Sequence, residues 1–88
     1  MTPVHEPDNQ RFTLPTTPTS VLDYVRDGGQ VVFTHTGVPE AYRGQGLAGR
    51  LVEAGLQWAK AEGLKVVPAC SYAQLYLQRH PEWQNLVA

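Results

Sequence analysis

The chain has 88 residues, 42% of them hydrophobic and 17% charged, with a formal net charge of −1 and a single cysteine. That length holds one domain with a thin core, since a domain this small buries only about 60% of the surface its unfolded chain exposes. One cysteine excludes an internal disulfide framework and a multi-cysteine metal site, and scattered Lys and Arg with a pI near 6.2 argue against a nucleic-acid groove.

Residues 1–9 lack the basic start and apolar stretch of a secretory signal and read as a polar, mobile lead-in to a single domain over residues 10–88. Arg11-Phe12-Thr13-Leu14 is a short strand that ends at Pro15, and Pro15 to Pro18 is a loop. Ser20 to Arg26 and Gln30 to Thr36 are rich in β-branched and aromatic residues. They flank Asp27-Gly28-Gly29, which predicts a β-hairpin. Val31-Val32-Phe33 is among the longest apolar runs, far too short to span a membrane. Gly37-Val38-Pro39 closes the second strand and Glu40 to Gly46 is a loop.

From Leu47 to Glu62 the pattern turns helical. Ala48, Leu51, Val52, Gly55, Leu56 and Ala59 recur at helical spacing on one face, and Gly63 is placed to cap the C-terminus. Gly49 and Gly55 each cost such a helix about 1 kcal/mol relative to Ala, so something must approach the helix closely there. Leu64 to Pro68 is a strand, Cys70-Ser71 opens a second helix over Tyr72 to Arg79, and His80-Pro81 breaks it. Glu82 to Leu86 is a last helical turn. The order is β-β-β-α-β-α, an α+β class with a mainly antiparallel sheet.

The segment richest in chemistry is Arg43-Gly44-Gln45-Gly46-Leu47-Ala48-Gly49, at a loop-to-helix join. Glycines let a ligand approach the backbone, and the unpaired first-turn N–H groups of a helix attract an anion. A Walker loop is excluded because no Lys follows the glycines. Gly44, Gly46 and Gly49 match G-x-G-x-x-G in letters, but seven residues separate them from the preceding strand and the next strand ends without an acid.

In context, Arg43, Gly46 and Ala48 resemble the R/Q-x-x-G-x-G/A pyrophosphate loop of the GCN5-related N-acetyltransferases. His35-Thr36-Gly37-Val38-Pro39, Val66 to Tyr72, and Arg79-His80-Pro81-Glu82-Trp83 resemble signatures of a minimal single-domain subgroup of that family, over roughly residues 20–88. Ala73-Gln74-Leu75-Tyr76 is similar to a stretch of the family's following helix whose Tyr protonates the departing CoA thiolate. Two features depart from larger members: Cys70-Ser71 replaces an Asn near the start of the last helix, and His80-Pro81 replaces a Gly-Phe after it.

The resemblance implies a small acetyl-CoA-binding fold that acetylates an amine, small or on a protein, with no metal required. Gly44, Gln45, Gly46, Leu47 and Ala48 would hold the pyrophosphate and Arg43 would pair with it. Thr36 and Val38 would meet the pantetheine amides, with Ser71 alongside. Cys70, Tyr76 and His35 would surround the acyl group. Helix N-termini favour thiolates, so Cys70 would take the acetyl group and pass it on, or else line the site during direct transfer. His35 would accept the amine's proton, or be a packed core histidine on the face of Val31 and Phe33. His80 is expected to cap the helix end. A non-catalytic acyl-CoA-binding or protein-interaction domain is the alternative reading. The expected setting is cytoplasmic, with no membrane or nucleic-acid partner, and a second subunit is compatible with so thin a core.

Overall fold

The computed structural model describes all 88 residues. A five-stranded sheet runs in the order β1 (Val4–Glu6), β2 (Arg11–Leu14), β3 (Ser20–Asp27), β4 (Gln30–Gly37) and β5 (Lys65–Pro68). The first three pairings are antiparallel, and β4 with β5 is parallel. Helix α1 (Leu47–Ala61) makes the crossover between the parallel strands, and α2 (Ser71–Arg79) follows β5. A six-residue 3₁₀ segment, Pro81–Leu86, carries the chain to Val87, which bridges to Val66. This is the expected α+β architecture, with one strand more than the sequence suggests. No helix is long and apolar enough to cross a membrane.

The expected hairpin forms with Gly28 at φ +59°, a conformation that favours glycine. Helix α1 buries Leu47, Leu51, Val52, Gly55, Leu56 and Ala59 against the sheet. Leu47 takes the buried place expected for Ala48, which is half-buried. Both helical glycines meet close neighbours. A Cβ on Gly55 would lie 2.8 Å from Leu22 Cδ2 and from Phe33 Cζ, while one on Gly49 would lie 3.4 Å from the Tyr72 hydroxyl. The helix thus gives up propensity at Gly55 so that the sheet can approach, whereas at Gly49 an added Cβ would meet α2 only at ordinary contact distance.

Two sequence expectations need correction. Residues 1–9 are not an unstructured lead-in, because Val4–Glu6 pairs with β2 and Pro7–Asn9 forms a 3₁₀ turn. The cause is non-local. His5 stacks on Phe12 at 4.2 Å, meets Trp58 edge-on at 4.8 Å, and shares a 2.6 Å hydrogen bond with the Tyr24 hydroxyl. Burial holds the His5 pKa below its ordinary value of 6.5, with Glu62 opposing the shift. A histidine with a lowered folded pKa gives full stability above the unfolded pKa, and that stability is lost as pH falls below it. Melting temperature is therefore expected to drop on acidification below about 6.5. His5→Phe, which keeps the stack but cannot titrate, should flatten that slope in a melting series across pH.

The second correction concerns His35. Asp23 pairs with His35 and Tyr24 with Phe33, which leaves Thr34 as an extra residue in β4. The Thr34 hydroxyl donates to the Asp23 carbonyl at 3.2 Å within this bulge. Period-2 alternation would keep His35 on the core side with Val31 and Phe33. The bulge instead turns His35 outward and exposed, and brings Thr36 onto the side of its partner Leu22.

Candidate acyl-transfer site

The site begins where two paired strands separate. Pairing of β4 with β5 ends at Phe33 and Pro68, and the Phe33 carbonyl accepts from both Ala69 and Cys70 N–H at 3.0 Å. Beyond that point β4 continues to Gly37, paired only with β3. Its other edge, from residue 34 onward, presents backbone donors and acceptors with no strand opposite.

Across this gap lies the start of α1. Gly46 is its N-cap residue, at φ +75°, and Gly44 before it has φ +84°. Serine, threonine, asparagine or aspartate at an N-cap would satisfy one of the helix's unpaired donors. Glycine has no side chain to do so, and no side-chain cap is made. The first helical bond runs from Arg50 N–H to the Gly46 carbonyl at 3.2 Å. The amides of Gly46, Leu47, Ala48 and Gly49 donate to nothing in the chain. A Cβ on Gly44 or Gly46 would point into open space, so the bare backbone is accessible from outside. Four converging donors at the positive end of a 15-residue helix form an anion cradle.

Strand edge and cradle enclose a cavity of about 430 Å³. Of the residues singled out in the sequence, His35, Thr36, Val38, Arg43, Gly44, Gly46, Leu47 and Ala48 line it. Gln45 is exposed in the loop between the two lining glycines, and Ser71 is exposed at the first position of α2. The imidazole of His35 folds over Gly37, where a Cβ would come within 3.0 Å of Nε2. Arg43 Nε donates to the Val38 carbonyl at 3.3 Å, which fixes the loop entrance.

Cys70 does not line the cavity but sits directly behind Thr36, with Sγ 3.3 Å from Thr36 Oγ1. The bulge in β4 makes this contact by bringing Thr36 to the core side. Cys70 is the N-cap of α2, half-buried, and its sulfur accepts the Ala73 N–H at 3.3 Å. The two helices therefore start differently: α2 caps itself with a thiol, whereas α1 leaves its amides free.

Tyr72 and Tyr76 both lean on α1 near Gly49. Only Tyr72 reaches the first cavity, and both line a second one of about 300 Å³ between the helices. Burial raises the Tyr72 pKa above the ordinary phenol value, opposed by Arg79. Burial also raises that of Tyr76, reinforced by Glu53, Glu82 and Tyr72. Both phenols are thus held in the proton-donating form at neutral pH. His80 stacks on Tyr76 at 3.9 Å and shares a 2.9 Å hydrogen bond with its carbonyl, the helix-end position expected for it. The sequence pointed to Tyr76, which does not line the first cavity, whereas Tyr72, one turn before it, does. The signal was their one-turn spacing, which puts both on one helix face without saying which reaches further.

The sequence model of the GCN5-related N-acetyl-transferase family matches residues 11–86. Protein NATD1 of Gallus gallus is 41% identical over 68 residues, covering 76% of this chain and 62% of its own length. Protein NATD1 of Homo sapiens is equally identical over the same share of this chain and 60% of its own. The chain thus spans about 62% of the length of the curated relatives it matches. The solution NMR structure of a GCN5-like protein from Staphylococcus aureus superposes with a TM-score of 0.78, covering 98% of this chain and 86% of that one at 22% identity.

Proposed function

This chain belongs to the GCN5-related N-acetyltransferase family, and from that membership we propose that it transfers an acetyl group from acetyl-CoA to an amine. The observation that carries the reading is the cradle of four free amides, Gly46 to Gly49, beside the unpaired edge of β4. Those amides, with the Gly44–Gln45 backbone and Arg43, would hold a pyrophosphate. The backbone of Thr36 to Val38 would pair with the pantetheine amides as a further strand, with Ser71 at the mouth. Acetyl-CoA supplies a thioester, an acyl group activated toward nucleophiles.

Cys70 is proposed to take the acetyl group first. Its Sγ, as thiolate, is steadied by the Ala73 N–H and the Thr36 hydroxyl. As the bond from Sγ to the carbonyl carbon forms, the original C–S bond breaks and the departing thiolate takes a proton. Of the two tyrosines on α2, Tyr72 alone reaches the first cavity, which favours it over Tyr76 as that donor. An amine then attacks the acetyl group on Cys70: the C–N bond forms, the Cys70 C–S bond breaks, and His35 on the cavity wall accepts the amine's proton. Solvent returns that proton to the tyrosine, leaving both residues as they began.

Labelling with radioactive acetyl-CoA, followed by denaturation and assay against an amine panel, tests the reading. The expected result is acetyl label on Cys70 and a loss of at least about 100-fold in turnover for Cys70→Ala. Unlabelled Cys70 with full turnover in Cys70→Ala would replace the relay by direct transfer. CoA binding without turnover on any amine would leave an acyl-CoA-binding domain.

A further inference from the structure

Both helices cover one face of the sheet and leave the other bare. Gly55 of α1 packs on Leu22 and Phe33, and Ala73, Tyr76 and Leu77 of α2 join the same buried cluster. Side chains alternate in direction along a strand, so Val25 of β3, Val32 of β4 and Val67 of β5 point the opposite way from the buried residues beside them. The register sets Val25 opposite Val32 and Val32 opposite Val67, which makes one apolar row across three adjacent strands. None of the three packs against the core cluster, and Val25 is 47% exposed. The wet face of a sheet ordinarily carries polar residues. Threonine would suit these strands as well without offering apolar surface.

A second row crosses the same face. Glu6, Arg11, Asp23 and His35 are successive cross-strand partners from β1 to β4. Arg11 Nε donates to Glu6 Oε1 at 2.9 Å in the sole salt bridge of the chain, so Arg11 does not neutralise Asp23. At Asp23 the backbone carbonyl accepts from Thr34, while the carboxylate has no partner. The bulge in β4 turns His35 to this side, where it lines the mouth of the first cavity. An unpaired anion therefore stands opposite the proposed base, at the cavity mouth.

Building on the acetyl-transfer reading, we infer that the acceptor amine is carried by a polypeptide that lies extended over this bare face. Asp23 draws its ammonium group to the cavity mouth, and an apolar side chain two residues away packs on the valine row. The ammonium releases one proton to solvent before the amine attacks as described above, so the transfer itself is unchanged. The spacing carries the match. Asp23 and Val25 lie two residues apart on β3, about 7 Å at the rise of a strand. Residues i and i+2 of an extended peptide share one side at that same spacing. Charge complementarity at Asp23 and continuity with the cavity favour this occupant, since a small amine would engage Asp23 and leave the valines uncovered.

Steady-state acetylation of end-blocked peptides tests this. One peptide carries a lysine with leucine two residues away on either side, a second has serine in place of both leucines, and butylamine is the small acceptor. The wild type is expected to favour the leucine peptide over the serine peptide by about tenfold in kcat/KM, chiefly through KM, the scale of partly burying one leucine. Val25→Ser should abolish that preference while leaving butylamine turnover and CoA affinity unchanged. Asp23→Asn should raise KM for all three acceptors, and Asp23→Glu should restore part of the loss. Equal kcat/KM for the two peptides, butylamine matching the leucine peptide, or a preference that survives Val25→Ser overturns the inference and leaves acetyl transfer standing. A dimer in sedimentation that Val25→Ser dissociates, with peptide kinetics unmoved, gives the valine row to a second copy and overturns it too. Absence of turnover on every acceptor overturns the acetyl-transfer reading itself, so the failures are distinct.

Discussion

Replacing Gly46 by valine is expected to weaken CoA binding by at least about 100-fold, or ~2.7 kcal/mol, while the chain still folds. The expectation follows from the φ of +75° at this N-cap. An L-residue in that left-handed region costs roughly 1–2 kcal/mol. It relaxes by turning the peptide that carries the cradle's first amide. A Cβ here meets nothing within 4 Å, so the variant suffers no internal clash. Gly63, at φ +71° beyond the far end of the same helix, is the control. Gly63→Val should lose comparable stability in a melting curve yet keep CoA affinity in calorimetry. Equal affinity losses in both variants would mean that the cradle reports general stability and not a site.

Replacing Gly55 by valine should cost about 3 kcal/mol or more, the upper range for overpacking a close-packed core. In a domain of this size that lowers the melting temperature by more than about 12 °C. The cause is geometric: Leu22 and Phe33, both fully buried, already stand 2.8 Å from where the first added carbon must go. Both side chains must shift within the core to admit it, and both belong to the strands that support the site. Gly49→Ala on the same helix provides the contrast. Its Cβ would sit at ordinary contact distance from Tyr72 and Tyr76. The gain in helix propensity, about 1 kcal/mol, should make that variant neutral or more stable. A pair of melting curves with the two glycines behaving alike would refute this account of why the helix carries them.

These two glycines also show how much of the fold a single sequence carries. Their presence beside an otherwise regular apolar stripe announced close approach, which the sheet makes at Gly55, while α2 comes only to ordinary contact distance at Gly49. The β3–β4 hairpin was legible because Asp-Gly-Gly fixes a local turn, and α1 because its periodicity runs over four turns. Strand β1 was not legible, because three residues carry no period and their stability comes from Phe12, Tyr24 and Trp58, distant in sequence. The bulge at Thr34 left no mark in composition, yet it exchanges His35 for Thr36 on the core side and so builds the contact with Cys70. At the site, the glycine loop was readable from local chemistry. The second cavity was not, since Arg50 and Arg79 lie on different helices and meet only after α1 and α2 pack.

The most direct measurement of the central claim is amide chemical-shift mapping of the ¹⁵N-labelled chain during titration with CoA. The account predicts that the largest changes fall on the amides of Gly46, Leu47, Ala48 and Gly49, which have no partner in the folded chain. Saturating CoA that leaves those four resonances unmoved would contradict it.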